Sequence, residues 1–237
     1  MRTIKRLSSL LLSILILLTI IACDGTDKAY IYFSLDEQPK TLDPQIASSD
    51  SELMIVRNIF EGLLRKNEKG EIVCGVAESY KKNNLIYTFK LRKDAVWSNE
   101  EAVTAHDFVF ALRRAVDPKT ESPFVRRLFC IVNAKEINMG NMSVNDLGVK
   151  AIDDHTLQIN LHTYDDSFEE TLTTSLTMPC NEKFFNESAG KYGIFKEHTL
   201  SNGSYKLSKW GKSIHLVCLN PSSLRYVSKF SLDLSSI

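Results

Sequence analysis

Residues Tyr87-Thr88-Phe89-Lys90-Leu91-Arg92-Lys93-Asp94-Ala95-Val96-Trp97-Ser98 decide the fold class. Apolar and polar residues alternate from Tyr87 to Leu91, the two-residue period of a half-buried strand, and Asn83-Asn84 precede the run as turn formers. Leu91-Arg92-Lys93-Asp94 then leads into a turn, and the large Trp97 beside it belongs to a core. Downstream, Thr104-x-x-Asp107 caps an amphipathic segment carrying Phe108, Leu112, Ala115 and Val116. That helix has to end near Asp117-Pro118, because the residue before a proline is driven out of helical conformation. Alternation returns in Leu157-Gln158-Ile159-Asn160-Leu161, behind the turn formers Asp153-Asp154, and predicts a second half-buried strand from Thr156 to Leu161.

Towards the N-terminus, Ala29-Tyr30-Ile31-Tyr32-Phe33-Ser34-Leu35 is rich in aromatic and β-branched residues and reads as a buried strand, ended by Asp36-Glu37-Gln38-Pro39. Ser49-Asp50-Ser51-Glu52 has capping-box spacing, and Leu53, Val56, Phe60, Leu63 and Leu64 recur at helical spacing, which predicts a helix from about Ser51 to Leu64. Strands and helices mix without a strict βαβ rhythm, so the class is mixed α/β (α+β). After Leu219-Asn220-Pro221 the composition shifts: residues 222–237 hold six serines and no clear element boundary, an atypical serine-rich tail.

The first 22 residues read as an address. Arg2, Lys5 and Arg6 precede a run of thirteen residues, Leu10 to Ala22, that is apolar except for Ser13 and Thr19. A basic n-region before a short apolar core marks an export signal, whereas a bilayer-spanning helix, the alternative, needs about 20 apolar residues. Ile20-Ile21-Ala22-Cys23 resembles the bacterial lipobox, in which the cysteine thiol takes a diacylglycerol and becomes the first residue of the mature chain. Several acyl chains hold a protein at a membrane where one gives only marginal binding.

At 43% hydrophobic and 24% charged, the 237 residues have ordinary globular composition. Basic and acidic residues balance at 29 each, which removes the basic footprint that nucleic-acid binding requires. Without residues 1–22, which carry three basic residues and no acidic one, 26 basic residues face 29 acidic ones, a formal charge of −3. Cys74, Cys130, Cys180 and Cys218 lack any zinc spacing and read as core residues rather than disulfides.

Chemistry-bearing motifs are absent from the sequence. Neither G-x-S-x-G nor H-E-x-x-H occurs, and no glycine-rich phosphate loop is present. His106, His155, His162, His198 and His215 are scattered, with no pair at metal-ligand helical spacing. The pairs Asp153-Asp154, Asp165-Asp166 and Glu169-Glu170 are neighbours in sequence, which in extended chain point to opposite faces. The expectation is a binding protein with no catalytic residue, no metal and no cofactor.

Several stretches resemble the N-terminal part of the extracellular peptide-binding proteins of ABC importers, solute-binding family 5, close to its oligopeptide branch. They are Thr41-Leu42-Asp43-Pro44, Phe60-Glu61-Gly62-Leu63-Leu64, Gly75-Val76-Ala77-Glu78-Ser79, the Tyr87 to Ser98 stretch, Val103-Thr104-Ala105-His106-Asp107-Phe108, Asp117-Pro118, Leu147-Gly148-Val149-Lys150-Ala151-Ile152-Asp153-Asp154-His155-Thr156-Leu157 and Asn202-Gly203-Ser204-Tyr205-Lys206-Leu207. They run in the family's order over roughly Tyr30 to Pro221. Most of these motifs are scaffold, with Gly62 and Gly75 at bends where a side chain would collide. Two turns depart from the family pattern. Glu100 stands where W-S-D-G turns carry glycine, and Ser204 where proline follows N-G.

The resemblance implies a periplasmic-binding-protein-like two-lobed clamp (type II, family 5), incomplete at the C-terminus, as in a frameshifted or truncated copy. Residues 1–22 would be the lipoprotein signal peptide, 23–28 a lipidated tether, 29–59 with 180–221 a discontinuous, incomplete first lobe, and 60–179 a second, smaller lobe. Family members grip peptide main chains by strand addition. The strand beside the peptide maps to Ser48, Ser49 and Asp50, residues that read equally as a helix N-terminus, and an aromatic lining position maps to Phe124. The implied partners are short peptides, ABC permease subunits and, through acylated Cys23, membrane lipid. The implied place is the outer face of the cytoplasmic membrane, in a periplasm or at the cell surface. Two alternatives stay open: another solute (nickel, haem or a sugar) on the same scaffold, or a non-transporting remnant or membrane-tethered interaction domain.

Overall fold

The computed structural model describes residues 30–219 and 229–234. The export signal and Cys23 lie outside these residues. In chain order the elements are β1 (Tyr30–Leu35), α1 (Asp50–Ile59), β2 (Leu64–Lys66), β3 (Ile72–Cys74), β4 (Ala77–Asn83), β5 (Ile86–Leu91) and α2 (Ala105–Val116). There follow α3 (Ala134–Asn138), β6 (Val149–Asp153), β7 (Thr156–Asn160), α4 (Phe168–Thr171), α5 (Glu182–Glu187), β8 (Tyr205–Trp210), β9 (Ser213–Cys218) and β10 (Lys229–Leu234). Among the described residues no helix is long and apolar enough to cross a membrane.

The Tyr87 stretch becomes the centre of an antiparallel sheet of order β4-β5-β7-β6, with Tyr87 opposite Ile159 and Phe89 opposite Leu157. Their shared face is buried because the alternation puts every second side chain on one side of the pleat. Tyr80 stacks on Phe89 at 5.3 Å and Phe168 meets Tyr87 edge-on at 5.1 Å. α2 covers β6 and β7 with Phe108, Leu112, Ala115 and Val116, all fully buried. It stops at Asp117, whose backbone is extended at φ −64°, ψ 123° ahead of Pro118.

A second four-stranded sheet has the order β1-β10-β9-β8, with β10 parallel to β1 and antiparallel to β9. Lys229–Leu234 belongs to the serine-rich stretch in which the sequence marks no element. Its Phe230, Leu232 and Leu234 alternate with Lys, Ser and Asp, the same two-residue period.

α1 begins as the sequence predicts, with Ser49 as N-cap and a capping box to Glu52, but it ends at Ile59 rather than Leu64. The cause is a distant segment. The Asn202 and Gly203 amides donate to the Ile59 carbonyl at 3.1 and 2.9 Å, and the Asn202 side chain accepts from the Glu61 amide at 3.1 Å and donates to the Glu61 carbonyl at 2.9 Å. Glu61 therefore has no amide left for the helical ladder, and Phe60 turns extended. A Cβ on Gly203 would lie 2.8 Å from Ile59 C, so only glycine permits this approach. Gly75 is required similarly, its Cβ position lying 2.6 Å from the Gly62 carbonyl oxygen.

Trp97 is the largest fully buried side chain, edge-on to Phe60 at 6.4 Å. Its Nε1 donates to Asp107 Oδ2 at 3.3 Å, and the same oxygen accepts from the Thr104 amide at 2.7 Å, which ties the core to the start of α2. Beside it, Glu100 sits at φ 72°, the left-handed region that disfavours any residue with a Cβ. Glu100→Gly should therefore stabilise the protein by about 1 kcal/mol net of the added freedom of the unfolded chain, a rise in melting temperature of about 2–4 °C readable by calorimetry.

Candidate functional site

The loop from Thr41 to Ser49 is held at its backbone amides. Leu42 N donates to Gly193 O at 2.6 Å, Asp43 N donates to Thr41 Oγ1 at 3.0 Å, and Ile46 N and Ala47 N donate to Asp43 O at 3.1 and 2.9 Å. The Asp43 carboxylate is buried against Arg114 of α2, with Nη2 to Oδ2 at 2.6 Å. Arg114 also donates to Gln45 Oε1 at 2.7 Å and lies over the Phe185 ring at 4.0 Å. Gln45 Nε2 reaches the Met178 carbonyl at 3.0 Å. Burial opposes the guanidinium charge, but Asp43 outweighs it and raises the Arg114 pKa further.

Glu52 closes the other end of this loop. Its Oε1 accepts from the Lys40 and Thr41 amides at 3.0 and 3.2 Å, and its Oε2 from the Ser48 and Ser49 amides at 2.9 and 3.1 Å. Burial pushes this carboxyl up, and the four amides overcome it, so its pKa falls below the usual value.

The three residues mapped to the peptide-side strand therefore form the entry to a helix. Ser48 is exposed, Ser49 is the extended N-cap and Asp50 is the exposed first helical residue. The Ser48 and Ser49 amides are committed to Glu52, so a ligand main chain at these two positions could use only acceptors. Phe124, half-buried, precedes the 3₁₀ turn Val125–Leu128, with the Arg127 guanidinium 5.6 Å from its ring centre. Ser122 Oγ donates to the Gln45 carbonyl at 2.7 Å, and this bond brings the Phe124 loop against the loop that leads to Ser48. Sequence reasoning missed Gln45, Arg114 and Ser122. Arg114 shares its helix face with Phe110 and Ala111, four and three residues before it, and an arginine on that apolar side was the one local signal for it.

Among the described residues, no group of three or more His, Cys, Asp or Glu converges as a metal site. Cys74, Cys130, Cys180 and Cys218 are free thiols. Burial pushes Cys130 and Cys180 each up to about 12, so neither supplies a thiolate near neutral pH.

Residues 71–220 match the family described as bacterial extracellular solute-binding proteins, family 5 Middle. The periplasmic murein peptide-binding protein MppA of Escherichia coli K12 is 39% identical over 191 residues, 77% of this chain and 34% of that protein. The oligopeptide-binding protein OppA of Bacillus subtilis 168 is 33% identical over 192 residues, 80% of this chain and 35% of that protein. The structure of Listeria monocytogenes OppA bound to peptide superposes with a TM-score of 0.83 at 28% identity, covering 87% of this chain and 42% of that one. The chain thus spans about a third of the length of the curated relatives it matches.

The Glu52 cluster gives a pH test. A carboxyl whose folded pKa is lowered contributes stability above its unfolded value, near 4.5, and loses it as pH falls through the folded value. Glu52→Gln should cost roughly 2 kcal/mol at pH 7 and flatten the loss of stability between pH 5 and 3, as measured by urea unfolding across that range.

Proposed function

The chain belongs to the bacterial extracellular solute-binding proteins, family 5, and from that premise we propose that its solute is a peptide, received at the face made by Ser48, Ser49, Asp50 and Phe124. The observation that carries this reading is the Ser122–Gln45 bond, which ties together the two sequence-distant segments to which those residues belong. The MppA and OppA relatives are peptide-binding proteins by name, which supports a peptide over nickel, haem or a sugar. With donors at Ser48 and Ser49 already committed to Glu52, side chains and carbonyls of this face meet the peptide, an arrangement that tolerates varied sequences through bridging water.

On this reading the protein is exported, retained at the outer face of the cytoplasmic membrane by acylated Cys23, and hands its peptide to the permease subunits of an ABC importer. Residues 29–59 with 180–221 act as one lobe and 60–179 as a smaller one. ATP hydrolysis belongs to the transporter.

A thermal-shift series on the full chain in detergent tests the reading, since a ligand that binds only the folded state raises its stability by about 2.7 kcal/mol at a hundredfold excess over Kd. Tri- to pentapeptide mixtures should raise the melting temperature by about 5–10 °C, and Cys23→Ser should release the protein from membranes without changing that shift. A cooperative melt that no peptide moves would overturn the reading.

A further inference from the structure

Beside Arg127, a cleft of ≈ 510 Å³ opens between the end of α1, the start of β2 and the segment 173–178. Its size is that of a small-ligand pocket. Its walls carry four cationic side chains, Arg57, Arg65, Lys66 and Arg127, against two carboxylates, Glu61 and Glu170. Both carboxylates are already engaged. Glu61 binds Arg65 at 3.5 Å and Arg92 at 2.9 Å, and Glu170 binds Lys66 at 2.6 Å. Arg57 and Arg127 form no ion pair among the described residues.

Arg57 lies in the last turn of α1, where a cation also complements the helix dipole, an effect worth only about 0.3–1 kcal/mol at an exposed site. That accounts for one cation and not for the second across the cleft. Arg127 is oriented by the Phe124 ring beneath it, which holds its planar donor fork ready at low entropy cost. Two guanidinium groups in no ion pair among the described residues, Arg127 touching Glu170 only through its longer-range field, line a cleft whose carboxylates already have closer cations, and they match a carboxylate, which accepts paired N–H bonds from arginine.

Resting on the peptide reading above, we propose that this cleft takes a carboxylate of the bound peptide, held by Arg57 and Arg127. The carboxylate comes from an acidic side chain or from the peptide C-terminus, and both sources present the same two acceptor oxygens.

The test titrates four tetrapeptides into the full chain in detergent, labelled with ¹⁵N-arginine: Ala-Ala-Glu-Ala and Ala-Ala-Gln-Ala, each as free acid and as C-terminal amide. Carboxylate-bearing peptides should bind about tenfold more tightly than the neutral Gln amide and should shift the Arg57 and Arg127 Nε–H resonances saturably. In the Arg57→Gln/Arg127→Gln variant that advantage should vanish while the neutral amide binds as before. A preference for the free Gln acid over the Glu amide assigns the terminal carboxylate, and the reverse assigns the side chain. Equal binding of all four peptides, without shifts at the two arginines, would overturn the cleft assignment and leave the peptide reading standing. Binding of none would overturn both.

Discussion

The buried pair between Asp43 and Arg114 is the contact on which the surface of this protein depends. A carboxylate at 4% side-chain exposure faces a guanidinium at 11%, and neither can be left alone without the cost of an unpaired buried charge, about 3–5 kcal/mol. Around this pair the structure gathers four segments that are far apart in sequence. α2 supplies Arg114, the 41–47 loop supplies Asp43 and Gln45, the 176–178 segment offers carbonyls to Gln45, and Phe185 and Tyr192 flank the guanidinium. Gly193 sits so close that a Cβ there would be 2.4 Å from Asp43 N. The loop is thereby held in place by contacts within the chain alone.

Much of the architecture was legible in the sequence because it is written in local periods. Tyr87 to Leu91 and Leu157 to Leu161 alternate with period two and form β5 and β7 in register. The Ser49-to-Glu52 and Thr104-to-Asp107 spacings start α1 and α2, because a cap is satisfied within one turn. The end of α1 was not legible. Phe60, Leu63 and Leu64 keep helical spacing and are buried, yet Phe60 and Leu64 are extended and Leu63 lies in a bend, because Asn202 and Gly203 take the groups the helix would have used. A hydrophobic period reports which side chains are buried and says nothing of a competing hydrogen-bond partner 141 residues away.

The candidate site rests on resemblance, which supplied the positions Ser48 to Asp50 and Phe124. The contacts around the segments that carry them run through Gln45, Ser122 and Arg114, whose partners are long-range and leave no pattern in the chain. Sequence left capping and ligand contact open at Ser48 to Asp50. The structure places Ser49 as the cap and leaves Ser48 and Asp50 exposed on either side of it. Scaffold and surface are thus one construction, in which the motif Thr41-Leu42-Asp43-Pro44 anchors the loop whose far end meets solvent.

Hydrogen exchange on Arg114→Met in the full chain tests most directly whether the buried pair holds this face. The substitution keeps the side-chain volume and strands the Asp43 carboxylate. Amides of Leu42 and of residues 46–49 should exchange about a hundredfold faster than in the wild type, with those of β5 and β7 unchanged, corresponding to a local loss of about 3 kcal/mol. Unchanged exchange at 42–49, or a uniform loss across both sheets, would contradict the account.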